Sequence, residues 1–340
     1  MQLSVLKCHG SGNDFLLVNE RDPSQHQIDE SDRAWISRTL CDRRGSLGAD
    51  GVLFYQNSSQ SDVRMRMFNP DGSEALTCVN GLRCIARFGA EDLNRTELTI
   101  EIGKGSVTGT LLESTTQGVV TTQIDMGPLS VETRDVPIVH VHNPVIDQPI
   151  PELSDQLNFT ALAAPNPQLV TLVSHIDEDT LRRLGAIAES APACLPDRAN
   201  ISMVKLLGEN EIFVSTFERG AGITGSCGSA MAASVTAMCL LSECAFDTAI
   251  TVFNRNGSVI CLPHRAANAN LSLKMQGNAT YEYKATVTLN RASESLEQLN
   301  NKTEILHETR AYETLYQQAQ SVIATHGIKL GPAAADAQVG

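Results

Sequence analysis

Short apolar runs dominate residues 1–288, and they predict a protein rich in β-strands. Gly, Asn, Asp and Pro bound the runs, which is the pattern expected of strands separated by turns. The predicted strands are 16–18, 51–55, 63–68, 97–102, 119–124, 168–173, 201–206, 211–217, 249–253 and 272–275.

Four stretches carry apolar residues three and four positions apart, which predicts helices with one buried face. They are 31–41, 79–91, 179–190 and 228–242. Apolar residues in a similar rhythm predict a helical extension over residues 289–340, whose last ten residues, from Gly331, are expected to form a loose tail. These apolar residues are Leu296, Leu299, Leu306, Leu315, Val322 and Ile323.

One order of features occurs twice along the chain. Near residue 70 a strand leads into a polar turn with Gly, then Cys78 and a helix, and near residue 220 the same order leads to Cys227. This repetition predicts two related domains, the first from residues 1–125 with 278–288 and the second from 126–277. Chance similarity between short motifs is the alternative explanation.

The charge of the chain excludes some classes of function. Its 340 residues carry a formal net charge of −13, and only 4% are aromatic. General nucleic-acid binding and binding to anionic membranes both need a basic face, so neither is expected. No apolar run approaches the roughly 20 residues that span a bilayer, and no signal peptide is recognisable.

Nine cysteines are scattered along the chain without the pattern of a disulfide framework. They are expected to be reduced thiols of a cytoplasmic protein. No pair has the close spacing of a structural zinc site, so no metal is expected. Most are predicted to be small buried hydrophobic residues.

Cys78 and Cys227 are different, because each lies at the start of a predicted helix beside a glycine-containing turn. Free N–H groups at a helix start bind carboxylates and lower the pKa of a thiol. A thiolate and a thiol together can remove the α-proton of an amino acid and return a proton to the other face. This chemistry needs no cofactor and takes a small amino-acid substrate. A buried structural role for both cysteines, or pairing of one with a histidine, remains open.

The chain resembles the diaminopimelate epimerases, a family of cofactor-independent enzymes with two cysteines. The matching segments lie in the family's order within residues 1–288. They are Lys7 to Phe15, Phe68 to Glu74, Cys78 to Cys84, Asn166-Pro167, Arg198 to Asn200, Glu218 to Gly222 and Cys227 to Ser229.

The resemblance implies an α+β fold of two similar domains, each a β-barrel-like sheet around a central helix, with the site in the cleft between them. It also implies a homodimer that converts LL-diaminopimelate to the meso form, an isomerase of lysine biosynthesis. Cys78 and Cys227 would be the acid and base, Glu218 would contact the reacting amino group, and helix-end amides would hold its carboxylate. The binding residues implied are Asn13, Asn69, Val79, Asn80, Asn166, Asn200, Glu218, Arg219, Gly228 and Ser229.

Some positions depart from the family pattern. Val79 replaces a usual Gly after the first cysteine, and Gln168 replaces a usual His that assists that cysteine. Gly51 stands where Gln is common, Ile223 where Glu is common, and Ala230 where Gly is common.

These departures keep two alternatives open: a racemase of another amino acid, such as histidine, and a catalytically weak paralogue that binds a ligand or partner.

Overall fold

Two compact units make up the protein, whose computed structural model describes residues 1–22, 27–115 and 117–331. Of these residues, the N-terminal unit contains those in Met1–Ile124 and Gly277–Leu315, and the C-terminal unit contains those in Asp125–Gln276 and 316–331. Within the described ranges, no helix has the length and apolar character needed to cross a membrane.

The described residues form five helices, and the four helices predicted over residues 1–288 are confirmed. They are α1 (Asp32–Cys41), α2 (Val79–Leu93), α3 (Glu178–Glu189), α4 (Gly228–Leu240) and α5 (Leu306–Thr325).

Every strand predicted from the apolar runs is also present, and further strands complete the sheets. The strands are β1 (Gln2–Gly10), β2 (Asn13–Asn19), β3 (Gly51–Gln56), β4 (Val63–Phe68), β5 (Glu74–Ala75), β6 (Glu97–Glu101), β7 (Ser106–Leu111), β8 (Thr121–Leu129), β9 (Gln148–Ile150), β10 (Ser154–Ala163), β11 (Pro167–Leu172), β12 (Asn200–Gly208), β13 (Glu211–Glu218), β14 (Gly222–Thr224), β15 (Ile250–Asn254), β16 (Gly257–Arg265), β17 (Leu271–Asn278), β18 (Thr280–Asn290) and β19 (Ser295–Glu304).

The two units repeat one order of elements. In the N-terminal unit β1 and β2 are antiparallel, β2 and β3 are parallel across α1, and β4 and β6 are parallel across α2. In the C-terminal unit β10 and β11 are antiparallel, β11 and β12 are parallel across α3, and β13 and β15 are parallel across α4. The predicted similarity of the two domains is therefore confirmed.

A central helix organises the core of each unit. Helix α2 contacts β1, β2, β3, β4, β6 and β7, and helix α4 contacts β10 to β13 as well as β15 and β16. Helix α4 is apolar on every side, with Met231, Val235 and Met238 all buried. An apolar surface of this kind is stable only when strands enclose the helix. The first residues of the amphipathic helix α2, Val79 to Gly81, are buried as well.

The helical prediction over Leu296 and Leu299 is wrong, because both residues lie in β19, which pairs with β18. Leu296 pairs with Leu289 and Leu299 pairs with Val287, with a register shift between them that leaves Glu297 unpaired. Such a bulge places residues three apart on the same face of a strand. The spacing of three, usually typical of a helix, here directs both leucines against the core of the N-terminal unit.

The first half of α5 is attached to the N-terminal unit by a buried ion pair. Glu308 accepts hydrogen bonds of 2.6 and 2.8 Å from Arg87 of α2, and a third of 2.9 Å from the N–H of Tyr281. Tyr312 packs edge-on against the buried ring of His9, with centroids 4.4 Å apart. The beginning of the extension is therefore part of this unit's core.

The second half of α5 packs on the C-terminal unit. Ala319 and Ile323 are buried against Phe213 and Phe253. After the helix, the N–H of Gly331 donates to Glu178 over 2.8 Å. The rest of the predicted loose tail, residues 332–340, lies outside the described residues.

Replacing Glu308 with Ala is expected to lower the free energy of unfolding of the N-terminal unit by about 3–5 kcal/mol, because Arg87 then stays buried without its buried counterion. Urea unfolding followed by the fluorescence of Trp35, the chain's single tryptophan and buried in this unit, measures the loss. Burial alone raises the pKa of the Glu308 carboxyl, but the bonds from Arg87 and Tyr281 outweigh it and hold this pKa below its usual value. The contribution is therefore present above about pH 4.3 and is lost as the pH falls through the lowered pKa.

Glu294→Ala is the matched control, since the pair of Glu294 with Arg38 is exposed. Its expected cost is at most about 1 kcal/mol. Equal losses in the two variants would contradict the structural role of the buried pair.

Candidate active site

Cys78 is the N-cap residue of α2. Its backbone is extended, with φ of −149°, and the helix begins at Val79. The first intrahelical bond runs from the N–H of Leu82 to the carbonyl of Cys78 over 2.8 Å. The N–H groups of residues 79–81 therefore precede the helical bonds and point out of the helix end. In the described chain, the first turn of α2 carries no acidic side chain that would neutralise this end.

Asn13 links this helix end to β2. Its Oδ1 lies 3.8 Å from the Sγ of Cys78 and 3.2 Å from the Nδ2 of Asn80. Its Nδ2 donates to Asp50 over 2.8 Å, and Arg43 donates to the other Asp50 oxygen over 2.7 Å. Asp50 thereby fixes the direction of the Asn13 amide, so that the amide oxygen faces the thiol of Cys78.

Arg83 fixes the side chain of Asn80 by a hydrogen bond. Its fully buried guanidinium donates to Asn80 Oδ1 over 2.8 Å and to Ser11 Oγ over 2.9 Å. Gly10 makes room for this contact, because a Cβ there would lie 2.8 Å from the guanidinium and 2.9 Å from the Asn80 carbonyl. Arg83 and Asp50 are not among the site residues predicted from the sequence, although Arg83 lies in the matching segment Cys78 to Cys84 and Asp50 directly precedes Gly51.

Two predicted binding residues of this unit do not share these contacts. Among the described residues, the hydrogen bonds of Asn69 stay within its own turn, where its Nδ2 donates to Ser73 Oγ over 3.0 Å. The side chain of Val79 is buried, and the residue lies inside the helix rather than in the positive-φ region. Val79 therefore replaces a glycine without backbone strain.

Cys227 is the N-cap residue of α4, in the position that corresponds to Cys78. Its φ is −119°, the helix begins at Gly228, and the N–H of Met231 donates to the Cys227 carbonyl over 3.0 Å. The thiol is buried, with 9% of the residue exposed. Its Sγ lies 3.4 Å from Ser229 Oγ and 4.0 Å from Asn200 Nδ2.

The charge balance at Cys227 favours the thiol over the thiolate. Burial raises the pKa of Cys227 well above its ordinary value, and the negative charge of Glu218 raises it further. Hydrogen bonds from Ser229 and from the N–H of Ala230 act in the opposite direction. Burial also raises the pKa of Glu218, which accepts hydrogen bonds from Thr224 and from the Cys227 thiol.

Asn200 and Arg219 are also joined. The Oδ1 of Asn200 accepts from the backbone N–H of Arg219 over 3.0 Å, and the Arg219 guanidinium donates to the carbonyl of Asp197 over 2.8 Å. The Asn200 amide therefore turns its Nδ2 toward Cys227. The guanidinium of Arg219 is half-buried and can still donate to a carboxylate.

Gln168 lies at the start of β11, beside the first turn of α4. It is fully buried, and its Nε2 donates to Asn166 Oδ1 over 2.8 Å and to Ser229 Oγ over 3.2 Å. Its Oε1 has no hydrogen-bond partner among the described residues. The sequence links Gln168 to Cys78, whereas its hydrogen bonds in this unit lead to the neighbourhood of Cys227.

The other departures from the family pattern have packing reasons. A Cβ at Gly51 would lie 2.9 Å from the carbonyl oxygen of Phe68 and 2.9 Å from Met67, so this strand position requires glycine. Ile223 is 3% exposed and packs in the core of the C-terminal unit. Ala230 is completely buried in α4. Within the described ranges, no group of three or more His, Cys, Asp or Glu side chains is arranged to hold a metal ion.

The matching family model and the curated relatives indicate one family. The family model described as diaminopimelate epimerase matches residues 5–131 and 160–281. A diaminopimelate epimerase of Clostridium acetobutylicum is 37% identical over 318 residues, which cover 93% of this chain and 95% of that protein. Another, of Listeria monocytogenes, is 35% identical over 92% of this chain and 94% of the relative.

Solved structures support the fold. The structure of a phenazine biosynthesis protein of the PhzF family from Bacillus anthracis superposes with a TM-score of 0.62 and 16% identity. The match covers 85% of this chain and 100% of that one.

Replacing Glu218 with Gln is expected to speed alkylation of Cys227 by iodoacetamide about three- to tenfold at pH 8. Removing the negative charge lowers the pKa of the neighbouring thiol and enlarges the thiolate fraction. Mass spectrometry of the peptide that contains Cys227 measures the rate. Glu211→Gln, at the other end of β13, is the control and should leave the rate unchanged. A slower rate in Glu218→Gln than in the wild type would contradict this electrostatic assignment.

Proposed function

The chain belongs to the diaminopimelate epimerase family, and from this premise we propose that it interconverts LL- and meso-diaminopimelate by a two-base reaction without a cofactor. The observation that carries the proposal is the repeated placement of a cysteine at the N-cap of each unit's central helix.

In the proposed reaction, a thiolate of one cysteine removes the α-proton of the substrate. The α-carbon–hydrogen bond breaks as a sulfur–hydrogen bond forms, and the thiol of the other cysteine then donates its proton to the opposite face of the carbon. The roles exchange in the reverse direction. The proposal requires that both sulfurs reach the same carbon during turnover.

The resting protonation states follow from the surroundings of Cys227. Its pKa is raised by burial and by Glu218, so this cysteine rests as the thiol and acts as the acid. We assign Cys78 as the base for the first substrate isomer. After turnover the states are reversed, and the thiolate at Cys227 depends on its hydrogen-bond donors.

The backbone provides donors for the charge that develops on the substrate carboxylate. We assign this role to the first N–H groups of α2 and α4, at Val79, Asn80, Gly228 and Ser229. In many enzymes, hydrogen-bond donors aimed at developing charge make the largest single contribution to stabilising the transition state. Glu218 is assigned to the reacting amino group, since a carboxylate that accepts from Thr224 and Cys227 also accepts from an ammonium group.

Recognition of the second amino-acid end is assigned to polar side chains outside the helix ends. Arg219 suits the distal carboxylate, because a guanidinium binds a carboxylate through two parallel hydrogen bonds. The amides assigned to this end are Asn13, Asn69, Asn166 and Asn200. Their carbonyl and amine groups suit a ligand that carries both an ammonium group and a carboxylate.

Cys78→Ala and Cys227→Ala are each expected to reduce interconversion by at least about 10³-fold, because each removes one of the two proton carriers. The assay incubates reduced protein with LL-diaminopimelate in D₂O and follows the α-proton and the meso product by NMR. Cys244→Ala, at a half-exposed cysteine that the mechanism does not use, is the matched control.

Full activity in either single variant would reject the two-base assignment. Wild-type protein that is inactive on diaminopimelate but exchanges the α-proton of a single amino acid would favour the racemase alternative instead. That alternative is motivated by Val79, which stands directly after Cys78 in place of a usual glycine.

A further inference from the structure

The buried side-chain amide of Gln168 lies beside Ser229, at a position where the family usually has a histidine. Gln168 uses both hydrogens of its Nε2, one for Asn166 Oδ1 at 2.8 Å and one for Ser229 Oγ at 3.2 Å. Ser229 Oγ in turn lies 3.4 Å from the sulfur of Cys227. Three side chains from β11 and the start of α4 therefore form a continuous path of polar contacts that ends on a reacting thiol.

We propose that Gln168 is a positioning residue that directs the hydroxyl hydrogen of Ser229 toward the sulfur of Cys227. This inference rests on the proposed role of Cys227 as acid and base.

A serine hydroxyl has a single hydrogen, for which the nearby acceptors compete. Because Gln168 presents an N–H to Ser229, that side of the hydroxyl oxygen can only accept, and the hydrogen is left for the sulfur. The reverse orientation of the Gln168 amide would make its oxygen a competing acceptor for the same hydrogen. The reverse orientation would also place the Oε1 of Gln168 against the Oδ1 of Asn166, and the repulsion between these two oxygens disfavours it.

This orientation of the Gln168 amide has a cost. Among the described residues its Oε1 has no hydrogen-bond partner, although the side chain is fully buried. An unsatisfied buried acceptor destabilises a fold. Such a cost is typical of a group retained for a functional reason, and here the retained group is the donor on the other side of the amide.

The donor matters because the surroundings of Cys227 oppose a negative charge. From β13, Glu218 presents the carboxylate that acts on this thiol, whereas β11, β12 and α4 present the neutral side chains of Gln168, Asn200 and Ser229. A correctly directed hydroxyl stabilises the thiolate and leaves the thiol form unaffected.

The test compares the pH dependence of iodoacetamide alkylation at Cys227 in the full-length protein, with the modified peptide measured by mass spectrometry. Ser229→Ala and Gln168→Leu are each expected to shift this profile upward by about one pH unit and to slow alkylation at pH 8 about three- to tenfold. The double variant should shift no further than Ser229→Ala alone, because both changes remove the same hydrogen bond. Gln168→His, which keeps an N–H donor, should restore most of the wild-type profile.

Two further variants keep the test decisive. Gln168→Met has a similar length without an N–H donor and adds no charge, so it should shift the profile upward even where Gln168→Leu does not fold. Ser234→Ala is the matched control, because Ser234 is a buried serine of the same helix whose hydroxyl has no partner among the described residues. It should leave the profile unchanged.

Three results would overturn the inference: an unchanged profile in both Gln168→Leu and Gln168→Met, additive shifts in the double variant, or slowing that is equal at every pH. Alkylation does not depend on turnover. A wild-type protein that shows the coupled shifts but does not epimerise diaminopimelate therefore supports the inference and rejects the proposed function.

Discussion

The constraint on which this site depends is the free-energy cost of placing a negative charge on a buried sulfur. Cys227 is nearly inaccessible to water, and Glu218 adds a second negative charge beside it. An uncompensated thiolate would therefore take up a proton and become a neutral thiol. Every polar contact made to this sulfur affects that balance: Glu218 stabilises the thiol, and Ser229, Asn200 and the Ala230 N–H stabilise the thiolate. A group that must exist in both forms needs both kinds of neighbour.

Each unit places a cysteine at the N-cap of its central helix, but the side chains around the two cysteines differ. Parallel pairing of β4 with β6 and of β13 with β15 encloses a helix in each unit, and a cysteine caps the start of each helix. Cys78, however, lies near an amide oxygen of Asn13, whereas Cys227 lies near a hydroxyl, an amide N–H and a carboxylate. The two thiols are therefore equivalent in backbone position, while the side chains named around each sulfur differ.

Local patterns predict the elements well because the rules that govern them are local. The spacing of Leu82, Ile85 and Ala86 predicts α2, and the two helix starts follow from the residues around each cysteine. The pairing of side chains across distant strands has no such local signal. The bulge at Glu297 places two leucines three residues apart on one face of a strand, although such a spacing usually predicts a helix. The ion pair of Arg87 with Glu308 joins residues 221 positions apart. For the same reason the contacts of Asp50 with Asn13, and of Gln168 with Ser229, become visible only in three dimensions.

The departures from the family pattern are better explained by these contacts than by a loss of function. Gly51 is required by the carbonyl oxygen of Phe68, and Val79 takes a helical position that any residue can adopt. Gln168 differs from histidine in one decisive property: its N–H donor is present at every pH, whereas an imidazole changes its charge near neutrality. With glutamine at this position, the charges that vary at Cys227 reduce to those of the thiol itself and of Glu218. A neutral, permanent donor to Ser229 therefore fixes the direction of the hydroxyl and leaves proton transfer to the cysteine.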